Sequence, residues 1–97
     1  YGKVPENEYG QTVLNAAAAD PRIKLKGTFQ PEKLGAVLLS IDALLLPALW
    51  YENEPIVVKA AQYMGVPVML SKLGSLVDMV EHETNGILVE AANIEAW

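Results

Sequence analysis

Residues 43–71 read ALLLPALWYENEPIVVKAAQYMGVPVMLS. The run ALLLP at 43–47 is continuously apolar and short, which is how a strand covered on both faces reads. A polar loop, ALWYENE, follows it. Pro55 stands where a helix begins, because the first helical N–H has no intrahelical partner to lose. Gly65 closes that helix as a C-cap, and Val57, Ala61 and Met64 form its buried stripe. VPVMLS at 66–71 is then a second buried strand. Two strands joined through a helix run parallel, so this stretch sets the fold class as α/β.

The flanking segments continue the alternation. Residues 1–8 are polar with Gly and Pro and read as loop. Residues 9–19 predict a helix whose alanine run, Ala16–Ala19, suits close packing on a sheet, and Asp20-Pro21 ends it. IKLKGTF at 23–29 alternates apolar and polar, as a half-exposed strand near a sheet edge does. Pro31 begins a further helix, with Leu34, Val37, Leu38 and Ile41 on one face. After the second buried strand, KLGS is a loop and SLVDMVEH a short helix carrying Asp78, Glu81 and His82 on its surface. Asn85-Gly86 makes a tight turn, GILVE at 86–90 a last strand, and Asn93 caps a terminal helix. A parallel sheet with helices on its faces places ligands outside the carboxyl ends of its strands. That rule gathers residues 28–30, 50–55 and 71–75 at one rim.

Composition narrows the function. The chain has 97 residues, enough for one small domain, with 52% hydrophobic and 20% charged residues, a globular balance. A net charge of −5 opposes nucleic acid and anionic membrane surfaces. There is no cysteine, which removes disulfides, thiolate nucleophiles and Cys-based zinc sites, and one histidine, His82, builds no metal site alone. The longest apolar stretch is broken by Asp42 and Pro47 and falls short of the roughly 20 residues a membrane span needs.

The chemistry at the rim centres on the helix after Pro55. A helix N-terminus is an anion site, and since proline donates nothing, Ile56 and Val57 are its donors. Glu52 lies just ahead. A carboxylate there repels a bare phosphate but accepts hydrogen bonds from the hydroxyls of a sugar attached to it. The residues therefore suit a phosphate ester bearing a polyol. Read alone they equally suit a plainer arrangement, in which Glu54 caps the helix and Glu52 is solvated. Lys72 is evenly divided between phosphate contact and solvent, and Trp50 and Tyr51 between stacking on a ligand and packing the loop.

The pieces IKLKGTFQPEKL, IDALLLPALWYENEPIVVKAAQYMGVPVMLSKLG and DMVEHETNGILVE cover about residues 20–90. In order and spacing they resemble the C-terminal, nucleotide-sugar-binding domain of GT-B-fold glycosyltransferases, most like glycosyltransferase family 4 (group 1). The resemblance implies a Rossmann-like parallel sheet with helices on both faces. On it, residues 1–97 are a partial nucleotide-sugar-binding domain, with upstream strands and an acceptor domain outside the stretch. It implies a hexosyltransferase-type enzyme moving a sugar from a nucleotide-diphosphate donor to an acceptor hydroxyl with retention, active only in the full-length protein and needing no bound metal. By the same resemblance Glu52 is the catalytic glutamate that contacts the donor sugar. Ile56 and Val57 hold the diphosphate through backbone N–H groups, Asn53 lies in the same donor-binding loop, and Phe29 lies beside the nucleobase. A cytoplasmic location follows, with any peripheral membrane attachment left to other regions.

The sequence departs from that family at Ala60. The second glutamate of the family's pair falls eight positions after the first, and alanine cannot make its ribose contact. Glu54 comes too early and Gln62 too late to replace it. The departure keeps a second reading open, a non-catalytic glycosyltransferase-like interaction module. A generic nucleotide-binding or receiver-like α/β domain explains neither the ENEP loop nor the NGILV ending. The missing central strands further imply open strand edges, and hence self-association or an upstream segment that fills the gap.

Overall fold

The computed structural model describes all 97 residues, which divide into two units, Tyr1–Lys33 and Leu34–Trp97.

The first unit holds one long helix, α1 (Glu8–Ala19). Asn7 caps it: the side-chain oxygen accepts the Gly10 N–H at 2.9 Å, satisfying one of the orphan donors of the first turn. Gly10 is buried because a Cβ there would lie 1.7 Å from the Pro5 carbonyl oxygen. Asp20 ends the helix in an extended conformation, and its carboxylate takes the Arg22 guanidinium at 2.6 Å. That guanidinium lowers the Asp20 pKa, first through the side-chain hydrogen bond and then through the Arg22 backbone N–H.

Two expectations fail in this unit. IKLKGTF forms no strand, and Gly27 within it has φ +68. Alternation assigns residues to faces; a strand also needs a neighbour to pair with. Here one backbone bond, from the Gly2 N–H to the Gly27 carbonyl at 2.8 Å, stands where a ladder would be, and Ile23 and Leu25 are both 48% exposed. The alanine run of α1 has no sheet to pack on within this unit, and of Ala16–Ala19 only Ala17 is half-buried.

The second unit is α/β, built on a three-stranded parallel sheet flanked by helices, consistent with a partial Rossmann-like domain. Its strands are β1 (Leu44–Leu46), β2 (Val68–Ser71) and β3 (Gly86–Val89), in spatial order β1-β2-β3. Leu44 pairs with Val68, which pairs with Gly86 across the next ladder. Helix α2 (Leu34–Leu38) and helix α3 (Ile56–Tyr63) join one face of the sheet. Leu38, Val58, Ala61, Val68, Leu70 and Leu76 make the core, with Leu44, Leu46 and Leu88 packed against it.

Local signals hold where local chemistry decides. Gly65 has φ +73, its N–H reaches the Gln62 carbonyl, and the Val66 N–H reaches the Ala61 carbonyl at 2.8 Å. This is a Schellman closure of α3, open to glycine because the left-handed residue carries no Cβ. Asn93 accepts the Ala96 N–H and starts a terminal 3-10 turn, Ile94–Ala96.

Other positions are corrected. β1 is covered on one face only: Leu45 is 54% exposed, because β1 is an edge strand and no layer of this unit lies over its second face. The buried stripe of α3 centres on Val58 and Ala61, both 0% exposed, while Val57 and Met64 are half-buried. The segment after Leu73 is a 3-10 helix, Gly74–Met79, and His82 lies beyond it, bridged to Gly86. The turn before β3 closes over residues 81–85, with the Asn85 side-chain oxygen accepting the Glu81 N–H. Gly86 already belongs to the strand, and its lack of a Cβ serves close approach, since one there would sit 2.8 Å from the Val68 carbonyl oxygen.

No helix is long and apolar enough to cross a membrane. Leu70 sits in the central strand at 0% exposure. Leu70→Ala should therefore lower unfolding stability by about 2–5 kcal/mol. Leu45→Ala, on the open face, should cost no more than about 0.5 kcal/mol. Urea titration of the two variants checks the contrast.

Candidate functional site

Three parallel strands end at one edge of the second unit, at Leu46, Ser71 and Val89. The chain leaves β1 through Pro47–Pro55 and enters α3 there; it leaves β2 through Lys72 and Leu73 and enters the 3-10 helix at Gly74. The two segments are tied together. The Ser75 hydroxyl bonds to the carbonyl oxygens of both Glu52 and Asn53. A hydroxyl has one proton, so the two carbonyls share it. The Tyr51 ring lies against Gly74, where φ is +54 and a Cβ would come within 2.6 Å of Tyr51 Cδ1. Both features favour glycine there.

α3 begins without a side-chain cap. The Pro55 carbonyl accepts the Val58 N–H at 3.0 Å and the Lys59 N–H at 3.4 Å. No protein group accepts the N–H of Ile56 or Val57, so two aligned donors stand free at the positive end of an eight-residue helix. The two acids before Pro55 are differently employed. Glu54 does not cap the helix; its carboxylate pairs with Lys59 Nζ at 2.7 Å, an exposed pair that adds little stability. Glu52 is half-buried, and its Oε1 accepts the Trp50 indole N–H at 2.7 Å. Asn53 is exposed beside it.

The model of the glycosyl transferases group 1 family matches residues 1–97. The chain belongs to the group 1 glycosyl transferases. An uncharacterized glycosyltransferase of Methanocaldococcus jannaschii is 32% identical over 78 residues, covering 78% of this chain and 20% of that protein. A D-inositol 3-phosphate glycosyltransferase of Corynebacterium kroppenstedtii is 30% identical over 78 residues, 80% of this chain and 17% of its own. A UDP-Gal:alpha-D-GlcNAc-diphosphoundecaprenol alpha-1,3-galactosyltransferase of Escherichia coli is 31% identical over 61 residues, 63% of this chain and 16% of its own. The chain thus spans a fifth or less of the length of the relatives it matches.

In this group 1 glycosyltransferase chain the remaining residues fall into place one by one. Ala60 is half-buried at the border of the core. Gln62 donates its amide to the Met79 carbonyl at 2.7 Å, so it is committed elsewhere. Lys72 keeps an exposed ammonium while its backbone N–H is held by the Val89 carbonyl at 2.7 Å. His82 is not a helix residue: its Nδ1 accepts the Leu88 N–H at 3.0 Å on the outer side of β3. Phe29 lies in the first unit, edge-on to Tyr1 at 5.4 Å. No three His, Cys, Asp or Glu side chains come together as metal ligands. An open cleft of about 900 Å³ lies at the opposite edge, among Gln62, Pro67, Met79, Thr84 and Asn85, away from the free helix donors.

Three functional features escape sequence reasoning. The Trp50–Glu52 bond is a side-chain choice between residues two apart. The Ser75 bond joins residues 22 and 23 apart. Ser71, 1% exposed at the end of β2, holds a hydroxyl without a protein partner. Ser75→Ala should remove the tie between the loops at a cost of about 0.5–1.5 kcal/mol. Amide hydrogen exchange should then quicken at residues 50–55 while α3 beyond Val58 stays protected.

Proposed function

We propose that this chain is the donor-binding part of a retaining glycosyltransferase that moves a sugar from a nucleotide-diphosphate donor to an acceptor hydroxyl. The observation that carries the reading is the pair of free N–H groups at Ile56 and Val57, with the Glu52 carboxylate four residues ahead of the helix. The N–H groups hold the diphosphate and stabilise the charge that builds on it as the anomeric C–O bond breaks. Glu52 is the catalytic residue: its carboxylate accepts hydrogen bonds from donor-sugar hydroxyls and fixes the anomeric carbon over the diphosphate. Asn53, in the same loop, borders the sugar, and its exposed side chain offers it an amide. Family membership and the glycosyltransferase relatives support the reading.

Ala60 favours a second reading, a non-catalytic glycosyltransferase-like module that meets partners through this rim. A methyl group offers the ribose nothing, which leaves donor affinity lower by about 1–3 kcal/mol. Titration calorimetry of the full-length protein with UDP, GDP and ADP, each free and carrying a sugar, separates the two. The donor reading expects one base to bind, and its sugar form more tightly; no binding by any of them would falsify it. Within a binding protein, Ala60→Glu should tighten the nucleotide by about the same 1–3 kcal/mol. Unchanged affinity would show that the ribose does not pass this turn of α3.

A further inference from the structure

The structure assigns Trp50 as the residue that positions the Glu52 carboxylate for the donor sugar. The inference rests on the donor-binding reading for its sugar and on the geometry of the loop for the rest. The indole N–H donates to Glu52 Oε1 at 2.7 Å, a charge-assisted bond. An indole has one donor and no acceptor, so the bond has a single sense and forms with an oxygen alone. No protein group bonds the other carboxylate oxygen, Oε2, which is left for sugar hydroxyls.

The backbone beneath the pair is already fixed. Ser75 holds the carbonyls of Glu52 and Asn53, and the Tyr51 ring rests on Gly74. The carboxylate is therefore set at both ends, through its main chain by Ser75 and through its side chain by Trp50. A glutamate free to sample its rotamers loses that freedom when it engages a sugar, and one held beforehand loses less. The indole N–H also faces the negative charge of Glu52, which lowers the repulsion between that carboxylate and a diphosphate at the start of α3. Packing does not account for this tryptophan: its side chain contributes nothing to the core and is 64% exposed. Its indole N–H instead bonds Glu52.

Two measurements on the full-length protein test the assignment. The first needs no ligand. The Trp50 indole N–H resonance, identified by its loss in Trp50→Phe, should move upfield in Glu52→Ala, which removes the acceptor. In Glu52→Gln, which keeps a side-chain oxygen, the shift should be smaller. An indole resonance indifferent to Glu52 overturns the proposal. The second compares affinities for UDP-glucose against UDP, GDP-mannose against GDP and ADP-glucose against ADP. For the pair that binds, Trp50→Phe should lower the sugar-over-diphosphate ratio by about two- to tenfold. The affinity for the diphosphate alone should stay within about twofold, a change of at most ~0.4 kcal/mol. A ratio equal to wild type overturns the proposal while the donor reading stands. Equal loss of both affinities marks Trp50 as a structural prop and overturns it as well. If wild-type protein binds none of the six, the donor reading falls, and the positioning role falls with it even where the indole resonance follows Glu52.

Discussion

The parallel ladder from β1 through β2 to β3 is the constraint on which the site depends. Parallel neighbours cannot be joined by a hairpin, so the chain must cross over and return before each new strand. Every strand then ends at the same edge, and every crossover begins there. α3 starts at that edge because β1 ends there; the Gly74 helix starts at that edge because β2 does. The Ser75 bonds to Glu52 and Asn53 are the consequence, a contact between two segments that only the ladder brings together. Without the Leu44–Val68 and Leu46–Leu70 pairings, the loop of acids and the helix donors would have no common frame.

Electrostatics sharpen what the ladder gathers. The chain carries a net charge of −5, and two glutamates precede α3, whose N-terminus is the proposed anion site. Neither stands unopposed. Lys59, inside the first turn of α3, takes Glu54, and the Trp50 indole takes one oxygen of Glu52. The helix dipole favours an anion at Ile56 and Val57, while Glu52 keeps its charge beside them. The arrangement suits a diphosphate with a sugar attached better than a free phosphate, because Glu52 retains an oxygen that only a donor of hydrogen bonds can satisfy.

Legibility followed the range of each interaction. α3, the Gly65 closure and the Asn93 cap are local events, written in residues that touch one another along the chain, while β2 and β3 were legible because their apolar runs find neighbours to pair with. So was the pair of free donors after Pro55, since proline and the helix start suffice to predict it. IKLKGTF misled because its alternation is real and its partner is absent from the unit; pattern names a face, and only a neighbour makes a strand. β1 misled in the other direction: three leucines imply burial on both faces, while an edge position leaves Leu45 open. Glu54 reads as a cap until Lys59 is seen to hold it. Trp50, Ser75 and Ser71 were unreadable because their roles rest on rotamers and on residues distant in sequence. Ala60 is informative only beside the family pattern, since nothing in its own surroundings marks a small residue there as a loss.

The central claim is that the N-terminus of α3 receives a diphosphate. Backbone amide shifts of the full-length protein, followed while a nucleoside diphosphate is added, test it most directly. The account predicts that the Ile56 and Val57 amides move furthest, downfield as hydrogen-bond donors do, with Glu52 and Gly74 following. Saturable shifts confined to other residues, with Ile56 and Val57 unmoved, would contradict it.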